Sequence, residues 1–343
     1  MTIKKVFIVG TINDFCLETS YAYAAKSLGF TVYRFDPSRE INKHVRFAKL
    51  GKVVQEFLQP EVWLRKMNRE LIISVKEIMP DLVLVVGGSK VLYGSLVTIK
   101  ILCPNAKLAW IWPDTPANLN LHNKSYAQIL DLSATYSQNA VPLFNKLGFA
   151  NVRWIPLAGD PSMHFKACNE NGNFERDISF VGMWRPERER TLKLICENFG
   201  HLKIEIYGKN WKRNTKNKLV LSKWRGEALF TKELANYFNS SRININIIDD
   251  TNFPAANMRF FEIPTAGGLQ LCSSCPEMSE QFRNRQEVVY FENEDQLVNE
   301  IKWVLNEPTV ANEIRKAGQS KLLADHTYVK RLEQILKDLD YSN

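Results

Sequence analysis

The stretch NMRFFEIPTAGG, residues 257–268, carries the side chains best suited to hold a charged ligand. Arg259 and Glu262 stand three residues apart, so both face the same side of a helix that we expect to begin around Asn257. A cation in the first turn opposes the helix dipole, and an anionic ligand at the helix start would compensate it. Glu262 could then accept hydrogen bonds from neutral hydroxyls such as those of a ribose. The alternative is a local ion pair, worth only about 0.2 to 0.5 kcal/mol on a helix surface.

The residues around this pair favour a packed site over a surface ion pair. Phe260 and Phe261 flank the charged side chains, which indicates burial. Pro264 limits the length of the helix, and Gly267 and Gly268 fit a tight return to the next strand. We therefore expect the start of this helix to lie close to a ligand.

A second group of arginines lies in FVGMWRPERER, residues 180–190, which leaves a strand and enters a helix. Arg185 precedes the helix, near the free backbone N–H groups of the helix start, and we interpret it as a ligand-binding residue. Arg188 and Arg190 lie farther along and are interpreted as part of a solvated face, neutralised by the neighbouring glutamates.

Strands and helices alternate along both halves of the chain, which predicts parallel sheets covered on both faces. The first half has apolar strands such as PDLVLVVGG and KLAWIW, and a long helix from about Val53 to Met79. The second half repeats the pattern. At 343 residues, the chain suits two domains of roughly 150 residues each. The predicted fold class is α/β, with two doubly wound Rossmann-like domains and a ligand cleft at the carboxyl ends of the strands.

The predicted boundaries follow a stretch rich in Gly, Pro and Asn. They are an N-terminal domain at 1–160, a linker at 161–176, a C-terminal domain at 177–325 and a C-terminal helix at 326–343 that returns to the first domain.

Several functional classes are disfavoured by the sequence. The first strand–helix turn, VGTINDF, has one glycine where a dinucleotide site needs three, and no P-loop is present. No spacing of Cys or His fits a metal site, and six scattered cysteines fit reduced thiols. No segment is apolar enough to span a membrane, so we expect a cytoplasmic protein. A net charge of +8 indicates affinity for anions.

Several motifs resemble the spore-maturation-type (CgeB-like) glycosyltransferase family, which has the GT-B fold. The C-terminal domain of that family is matched by NMRFFEIPTAGGLQLCSS, FRNRQEVVYFENEDQLVNEIKWVL and GQSKLLADHTYVKRLEQIL. Earlier motifs are matched, in the same order, by DISFVGMWRPERE, IEIYGKNW and SSRININI. PDLVLVVGG and AWIWPDTP resemble the family's N-terminal domain.

The resemblance implies a sugar nucleotide donor held mainly by the second domain and an acceptor on the first. A Glu at the position of Glu262 would hold the donor ribose, and Arg185 and Arg259 would face its diphosphate. Gly208 and Lys209 follow a strand end and are placed beside the base, with Trp211 either there or simply packed. Asn257 and Gly267 complete the predicted donor-binding set. No cofactor and no metal is expected, because arginines and helix N-termini can meet the charge of the leaving group.

The sequence departs from the family pattern at Pro254. Many retaining GT-B enzymes carry a glutamate eight positions before the position of Glu262, where this chain has Pro254. Either Asp249 or Asp250 replaces that acid, or the acid is not needed, so the stereochemical outcome stays open. For an inverting reaction, Asp114 is the candidate general base, with Asp14 as second choice. The alternative role of Asp114 is to cap a turn in a proline-rich loop.

Three functions remain open at this stage. The first is a metal-independent glycosyltransferase whose hydroxyl acceptor is nucleic acid, protein, glycan or a small molecule. The alternative is a noncatalytic GT-B-fold protein that binds DNA or another polyanion through its basic surface. A sugar-nucleotide epimerase ranks third. The sequence names neither the sugar, the base, the acceptor nor the oligomeric state.

Overall fold

The computed structural model describes residues 4–44, 61–169 and 172–340. By contacts the chain divides into two compact units, one of residues 1–155 with 331–343 and the other of residues 156–330. The part of the predicted long helix from Val53 to residue 60 lies outside the described residues.

The first unit contains a parallel sheet of six strands within its described residues. Its order is β2-β1-β3-β4-β5-β6. The strands are β1 Lys5–Val9, β2 Thr31–Phe35, β3 Leu82–Val86, β4 Lys107–Trp112, β5 Leu132–Thr135 and β6 Val152–Trp154. All five residues of β3 are buried, as expected for a central strand of a sheet covered on both faces.

The helices of the first unit connect these strands. They are α1 Leu17–Ser27, α2 Pro37–His44, α3 Glu61–Ile78, α4 Tyr93–Leu102, α5 Leu121–Lys124 and α6 Val141–Lys146, with 3₁₀ turns at Pro116–Asn118, Ser125–Gln128 and Gln138–Ala140. The core centres on Trp110, which is fully buried and stacks on Phe149 with ring centroids 5.2 Å apart.

The second unit has the same construction. Its sheet order is β12-β11-β10-β7-β8-β9, all parallel. The strands are β7 Arg176–Val181, β8 Ile204–Tyr207, β9 Trp224–Gly226, β10 Ser241–Asn246, β11 Gln270–Ser273 and β12 Val289–Phe291. The predicted α/β class with two Rossmann-like domains is confirmed. The short edge strand β9 is an addition to the sequence prediction.

Ten further helices lie after residue 160. They are α7 Pro161–His164, α8 Pro186–Phe199, α9 Trp211–Asn214, α10 Lys218–Lys223, α11 Thr231–Asn239, α12 Met258–Thr265, α13 Pro276–Ser279, α14 Glu294–Asn306, α15 Pro308–Asp325 and α16 Tyr328–Asp340, counted over the described residues. The end of α16 belongs to the first unit, where Arg153 Nε lies 3.5 Å from Asp338 Oδ2. The expected return of the C-terminal helix is therefore present.

Each sheet has one point at which the strand order reverses. In the first unit this point lies between β1 and β3, and in the second between β7 and β10. In open α/β sheets a crevice forms outside the carboxyl ends of the strands at such a point, because the helices on its two sides diverge. The two reversal points are therefore the places to look for ligands.

Candidate functional site

Arg259 lies at the reversal point of the second sheet. It is in the first turn of α12, and its Nε donates to the carbonyl of Val181, the last residue of β7, at 3.1 Å. Its Nη1 forms a hydrogen-bonded ion pair with Glu262 Oε2. Within the described residues, Nη2 of Arg259 and Oε1 of Glu262 make no hydrogen bond. Arg259 is thus fixed on the strand end with one N–H edge unused.

The local ion pair foreseen as the alternative does form, but it is not a solvated surface pair. The side chain of Glu262 is 7% exposed and that of Arg259 is 28% exposed. Burial of a carboxylate is costly unless a cation and further hydrogen bonds compensate it. Arg259 supplies that cation to Glu262 close to the strand ends.

Asn257 positions the start of α12. Its Oδ1 accepts from the backbone N–H of Phe260 at 3.2 Å, which caps the helix. Its side-chain amide also pairs with that of Asn246, the last residue of β10, through bonds of 2.9 and 3.1 Å. The predicted donor-binding residue Asn257 therefore has both side-chain polar groups engaged in joining the helix to the sheet.

Arg188 is buried, and its interpretation as part of a solvated face is wrong. Its Nη2 lies 2.7 Å from Asp249 Oδ2, and its Nη1 donates to the carbonyl of Met183 at 3.0 Å. Burial lowers the pKa of Arg188, opposed by the attraction of Asp249, and the guanidinium stays charged. Arg190 is exposed, as predicted. The reversal point therefore holds a buried ion pair that sequence reasoning missed.

Asp249 orders the loop that leads to α12. Its Oδ1 accepts from the Thr251 hydroxyl at 2.6 Å and from the Asn252 amide at 2.7 Å. Burial raises the pKa of Asp249, but these hydrogen bonds and the charge of Arg188 outweigh it, and the pKa is lowered. Both carboxylate oxygens of Asp249 are thus engaged within the protein. Asp250 is exposed at the next position.

Three predicted donor-binding residues lie together at the neighbouring ends of β7 and β8. Arg185 is the exposed residue before α8, and the adjacent Trp184 N–H donates to the carbonyl of Lys209 at 2.9 Å. Gly208 passes so close to Gly182 that an added Cβ would lie 1.8 Å from its carbonyl oxygen, which only glycine avoids. Lys209 is exposed beside it.

Trp211 and Gly267 are structural. Trp211 is fully buried and donates to the carbonyl of Gly182 at 2.8 Å, so packing is its role. Gly267 has φ of +67° just beyond α12, where an added Cβ would lie 3.0 Å from the backbone of Cys168. Gly267 thus makes the predicted tight return to the next strand. It lies at the opposite end of α12 from Arg259, about 12 Å away at 1.5 Å per residue. Gly267 therefore does not join the other predicted donor-binding residues.

The two carboxylates chosen as candidate bases make local contacts or none. Asp114 is exposed, with Oδ1 accepting from the Thr115 N–H and Oδ2 from the Asn118 amide, both at 2.7 Å. These bonds are those of the turn-capping alternative. Asp14 is exposed in the loop after β1, and its carboxylate makes no hydrogen bond to the described residues.

Glu18, which sequence reasoning missed, lies at the reversal point of the first sheet. It is 8% exposed, in the first turn of α1, and its Oε1 accepts from the Thr11 N–H at 2.7 Å. Burial raises the pKa of Glu18, against hydrogen bonds from its own N–H, Thr11 and Cys16 and the charge of Arg34. An acid in a first helical turn is common, so no separate signal in the sequence distinguishes Glu18.

We expect Glu18→Gln to stabilise the protein increasingly as pH rises. The pKa of Glu18 in the folded protein lies above its unfolded value of about 4.3. At pH values above the folded pKa, the ionised side chain therefore lowers the free energy of unfolding. At pH values below the unfolded pKa, Glu18 is protonated in both states and has no such effect. The amide can still accept from the Thr11 N–H. Melting temperatures of variant and wild type, measured from pH 4 to 8, should diverge with pH. Glu70→Gln, at an exposed site in α3, is the control. A Tm difference independent of pH would contradict this expectation.

The described residues contain no group of three His, Cys, Asp or Glu side chains that could hold a metal ion. No helix in the described ranges is long and apolar enough to cross a membrane. Cys272 and Cys275 of the CSSC stretch are buried free thiols, and burial raises the pKa of Cys275 to about 12. A thiol of that kind is a poor nucleophile at neutral pH.

Residues 185–337 match the family model described as "Glycosyl transferase-like". The spore protein CgeB of Bacillus subtilis is 22% identical over 191 residues, which cover 53% of this chain and 56% of that protein. The match thus spans about half of the curated relative's length.

Three of the solved structures that cover 99% of this chain illustrate the likeness. They are the Anabaena protein Alr3699/HepE with UDP-glucose (13% identity, TM-score 0.66, 100% of that chain), the sucrose-phosphate synthase of Thermosynechococcus elongatus (11%, 0.63, 100%) and a glycosyltransferase of Rickettsia africae (14%, 0.66, 98%). At these identities the likeness establishes the fold, which is GT-B.

Proposed function

We propose that this chain, whose fold is GT-B and whose residues 185–337 match the glycosyl transferase-like family model, moves a sugar from a nucleoside-diphosphate sugar to a hydroxyl acceptor. The observation that carries the proposal is the placement of Arg259 and Glu262 at the reversal point of the second sheet. There, a cation anchored on β7 and a buried carboxylate stand side by side.

This pair matches the diphosphate and the ribose of a nucleoside diphosphate. The free Nη2 edge of Arg259 can donate to a phosphate oxygen, and Oε1 of Glu262 can accept from ribose hydroxyls. Arg185 and Lys209 add positive charge at the adjacent strand ends. When the bond between the sugar and the diphosphate breaks, negative charge grows on the leaving oxygen, and these cations stabilise it.

The donor class has support from a structural neighbour. Alr3699/HepE was solved with UDP-glucose and with UDP. We propose the same class, a nucleoside-diphosphate sugar, for this chain. The acceptor oxygen would replace the diphosphate oxygen at the anomeric carbon, and the hydroxyl proton would pass to a base.

We also propose that transfer needs neither a metal nor a cofactor, because Arg185, Arg259 and the first turn of α12 supply positive charge where the diphosphate would lie. A chelator should then leave turnover unchanged. A cytoplasmic location is proposed on the six scattered cysteines, which suit a reducing compartment.

The proposal is tested by thermal shift of the full chain against a panel of nucleoside diphosphates and their sugars. One diphosphate at about 100 times its Kd should stabilise the folded chain by about 2.7 kcal/mol. For a domain of this size, that corresponds to a rise in Tm of roughly 5 to 11 °C. Release of the diphosphate from the matching donor sugar should follow.

Measurements on the same samples distinguish the proposed transfer from the competing function, which is noncatalytic binding of a polyanion. Its support is the net charge of +8 and the Pro254 position. Steeply salt-dependent DNA binding without any nucleotide shift or donor hydrolysis would favour it and overturn the proposed transfer.

A further inference from the structure

We propose that the basic segment from β8 to β9, residues 206–226, is a docking surface for the phosphate backbone of duplex nucleic acid. The cations that carry this inference are not among the predicted donor-binding residues. The inference therefore does not depend on the proposed sugar transfer, and the two can be tested separately.

Nearly all of the net positive charge of the chain lies in the basic segment. It contains seven of the 45 Lys and Arg residues and none of the 37 Asp and Glu residues. The segment thus carries +7 of the formal net charge of +8, and the rest of the chain is close to neutral. A charge placed so unevenly creates a local field that attracts an anionic partner.

Four of the seven cations are exposed and unpaired. They lie on α9, on α10 and between these two helices: Lys212, Arg213, Lys216 and Lys218. Within the described residues, their side chains make no hydrogen bond and no ion pair. By contrast, Arg225 Nε lies 3.9 Å from Glu205 Oε1, and Lys223 Nζ donates to the Gly200 carbonyl at 3.5 Å. The four exposed cations are therefore the ones available to a partner.

The carboxylate of Glu189 in α8 contacts the basic segment but binds none of these four cations. Its Oε1 accepts from the Thr215 hydroxyl, and its Oε2 accepts from the indole N–H of Trp184 at 2.6 Å. Both oxygens of Glu189 thus help to hold the segment against α8.

Runs of like charge are often disordered, but this one is held in place. Trp211 is fully buried, and its indole N–H donates to the Gly182 carbonyl at 2.8 Å. Asn217 caps α10, since its Oδ1 accepts from the N–H groups of Leu219 and Val220 at 3.0 and 3.1 Å. Val220 is fully buried as well. The backbone that carries the four cations is therefore ordered before a partner binds, which favours affinity.

The composition of the segment distinguishes among anionic partners. A single-stranded nucleic acid is bound through exposed aromatic rings on which its bases stack, but Tyr207, Trp211 and Trp224 are all at least partly buried. Insertion into a membrane surface requires a broad apolar face. In the basic segment, all of which the structure describes, Leu219 is the only large apolar side chain that is exposed. The surface therefore suits neither a single strand nor a lipid bilayer.

The backbone of a nucleic-acid duplex requires only the groups that this surface has. Duplex DNA carries one negative charge per roughly 1.7 Å of helix axis. Its phosphates are bound by Lys and Arg and by neutral amides, and Asn210 and Asn214 are exposed beside the cations. Contacts of this kind carry no sequence information, so we expect binding that is independent of base sequence.

The test is binding of a fluorescently labelled DNA duplex of arbitrary sequence to the full chain, measured by anisotropy between about 50 and 200 mM salt. Four phosphate contacts predict a slope of about −3 to −4 for the logarithm of the binding constant against that of the salt concentration. Removal of all four cations, as Lys212→Gln, Arg213→Gln, Lys216→Gln and Lys218→Gln together, should weaken binding at least about 100-fold at the lower salt and abolish the slope. Lys212→Gln with Arg213→Gln alone should reduce the slope by about 2.

The matched control removes three lysines and one arginine from exposed positions of α3 and α6. Its changes are Lys66→Gln, Arg69→Gln, Lys76→Gln and Lys146→Gln. This variant should keep the affinity and the slope of wild type. An equal loss in both variants would show that net charge alone attracts the duplex, and the inference would be overturned. A wild-type chain that binds no duplex at the lower salt would overturn it as well.

Two further probes test the other partners. Tighter binding to poly(dT) than to the duplex would assign the surface to a single strand. Binding to vesicles of phosphatidylcholine and phosphatidylserine, without binding to the duplex, would assign it to a membrane. Either result contradicts the duplex assignment.

Melting temperatures close to that of wild type show that both fourfold variants are folded. The UDP thermal shift on the same samples separates this inference from the proposed transfer. If the duplex binds through the four cations but no nucleoside diphosphate raises the Tm, the proposed transfer fails and the docking surface stands. If a nucleoside diphosphate binds but the duplex does not, only the docking surface is removed.

Discussion

Replacement of Arg259 by Met is expected to lower kcat/KM for sugar transfer by about 10²- to 10³-fold, the usual effect of removing one group that stabilises developing charge. Diphosphate binding should weaken by about tenfold or more, because a charge-assisted hydrogen bond is lost. Arg259→Lys should restore only part of the activity, since an ammonium group cannot both donate to Val181 O and present an N–H edge to a phosphate. Initial rates and calorimetric titration with UDP give the two quantities.

The control for this experiment is Arg190→Met. Arg190 is an exposed arginine of the same unit, in α8, and its loss should leave kcat/KM unchanged. Since Arg259→Met leaves Glu262 buried without its cation, Arg259→Met combined with Glu262→Gln separates lost binding from lost stability. If the double variant binds UDP as wild type does, or if Arg259→Met stays within twofold of wild-type turnover, the role given to Arg259 is wrong.

Replacement of Arg188 by Met is expected to destabilise the second unit by about 3–5 kcal/mol, because it leaves Asp249 buried and uncompensated. By the usual scaling this lowers Tm by roughly 6–20 °C. Arg188→Met combined with Asp249→Leu should recover much of the loss, since removing both charges avoids the unpaired one. Scanning calorimetry of the full chain measures these shifts.

The ion pair between Arg188 and Asp249 should also affect how stability depends on pH. The pKa of Asp249 in the folded protein lies below its unfolded value of about 3.9. The ionised carboxylate therefore adds to the free energy of unfolding at pH values above the unfolded pKa, and this stabilisation is lost as pH falls through the folded pKa. Asp249→Asn should flatten the acid limb of the stability curve. An Arg188→Met variant with wild-type Tm would show that the pair contributes no stability.

Elements with a strong apolar signal could be predicted from the sequence. The buried run of β3 and the cap at Asn257 follow from local patterns that the packed structure preserves. Strand β9 could not be predicted in this way. It has three residues, none fully buried, and it exists because the edge of β8 offers a backbone partner. No local sequence pattern carries that information.

Candidate site residues that share one helix could be predicted from the sequence. Residues that come together from two separate elements were missed. Arg259 and Glu262 share one helix, so their spacing revealed them. Arg188 sits among charges in PERER, and only its partner Asp249, 61 residues later, makes it a buried residue. Glu18 lines a cavity together with residues Gly87 to Lys90, which follow another strand, so its position could not be inferred from its own helix.

The paired amides of Asn246 and Asn257 have a consequence for ligand affinity. Two hydrogen bonds between planar groups resist rotation as well as separation, so the start of α12 keeps its direction relative to the end of β10. The free N–H groups of its first turn therefore point the same way before and after a ligand arrives. Little ordering would then be required on binding, and such preorganisation favours affinity.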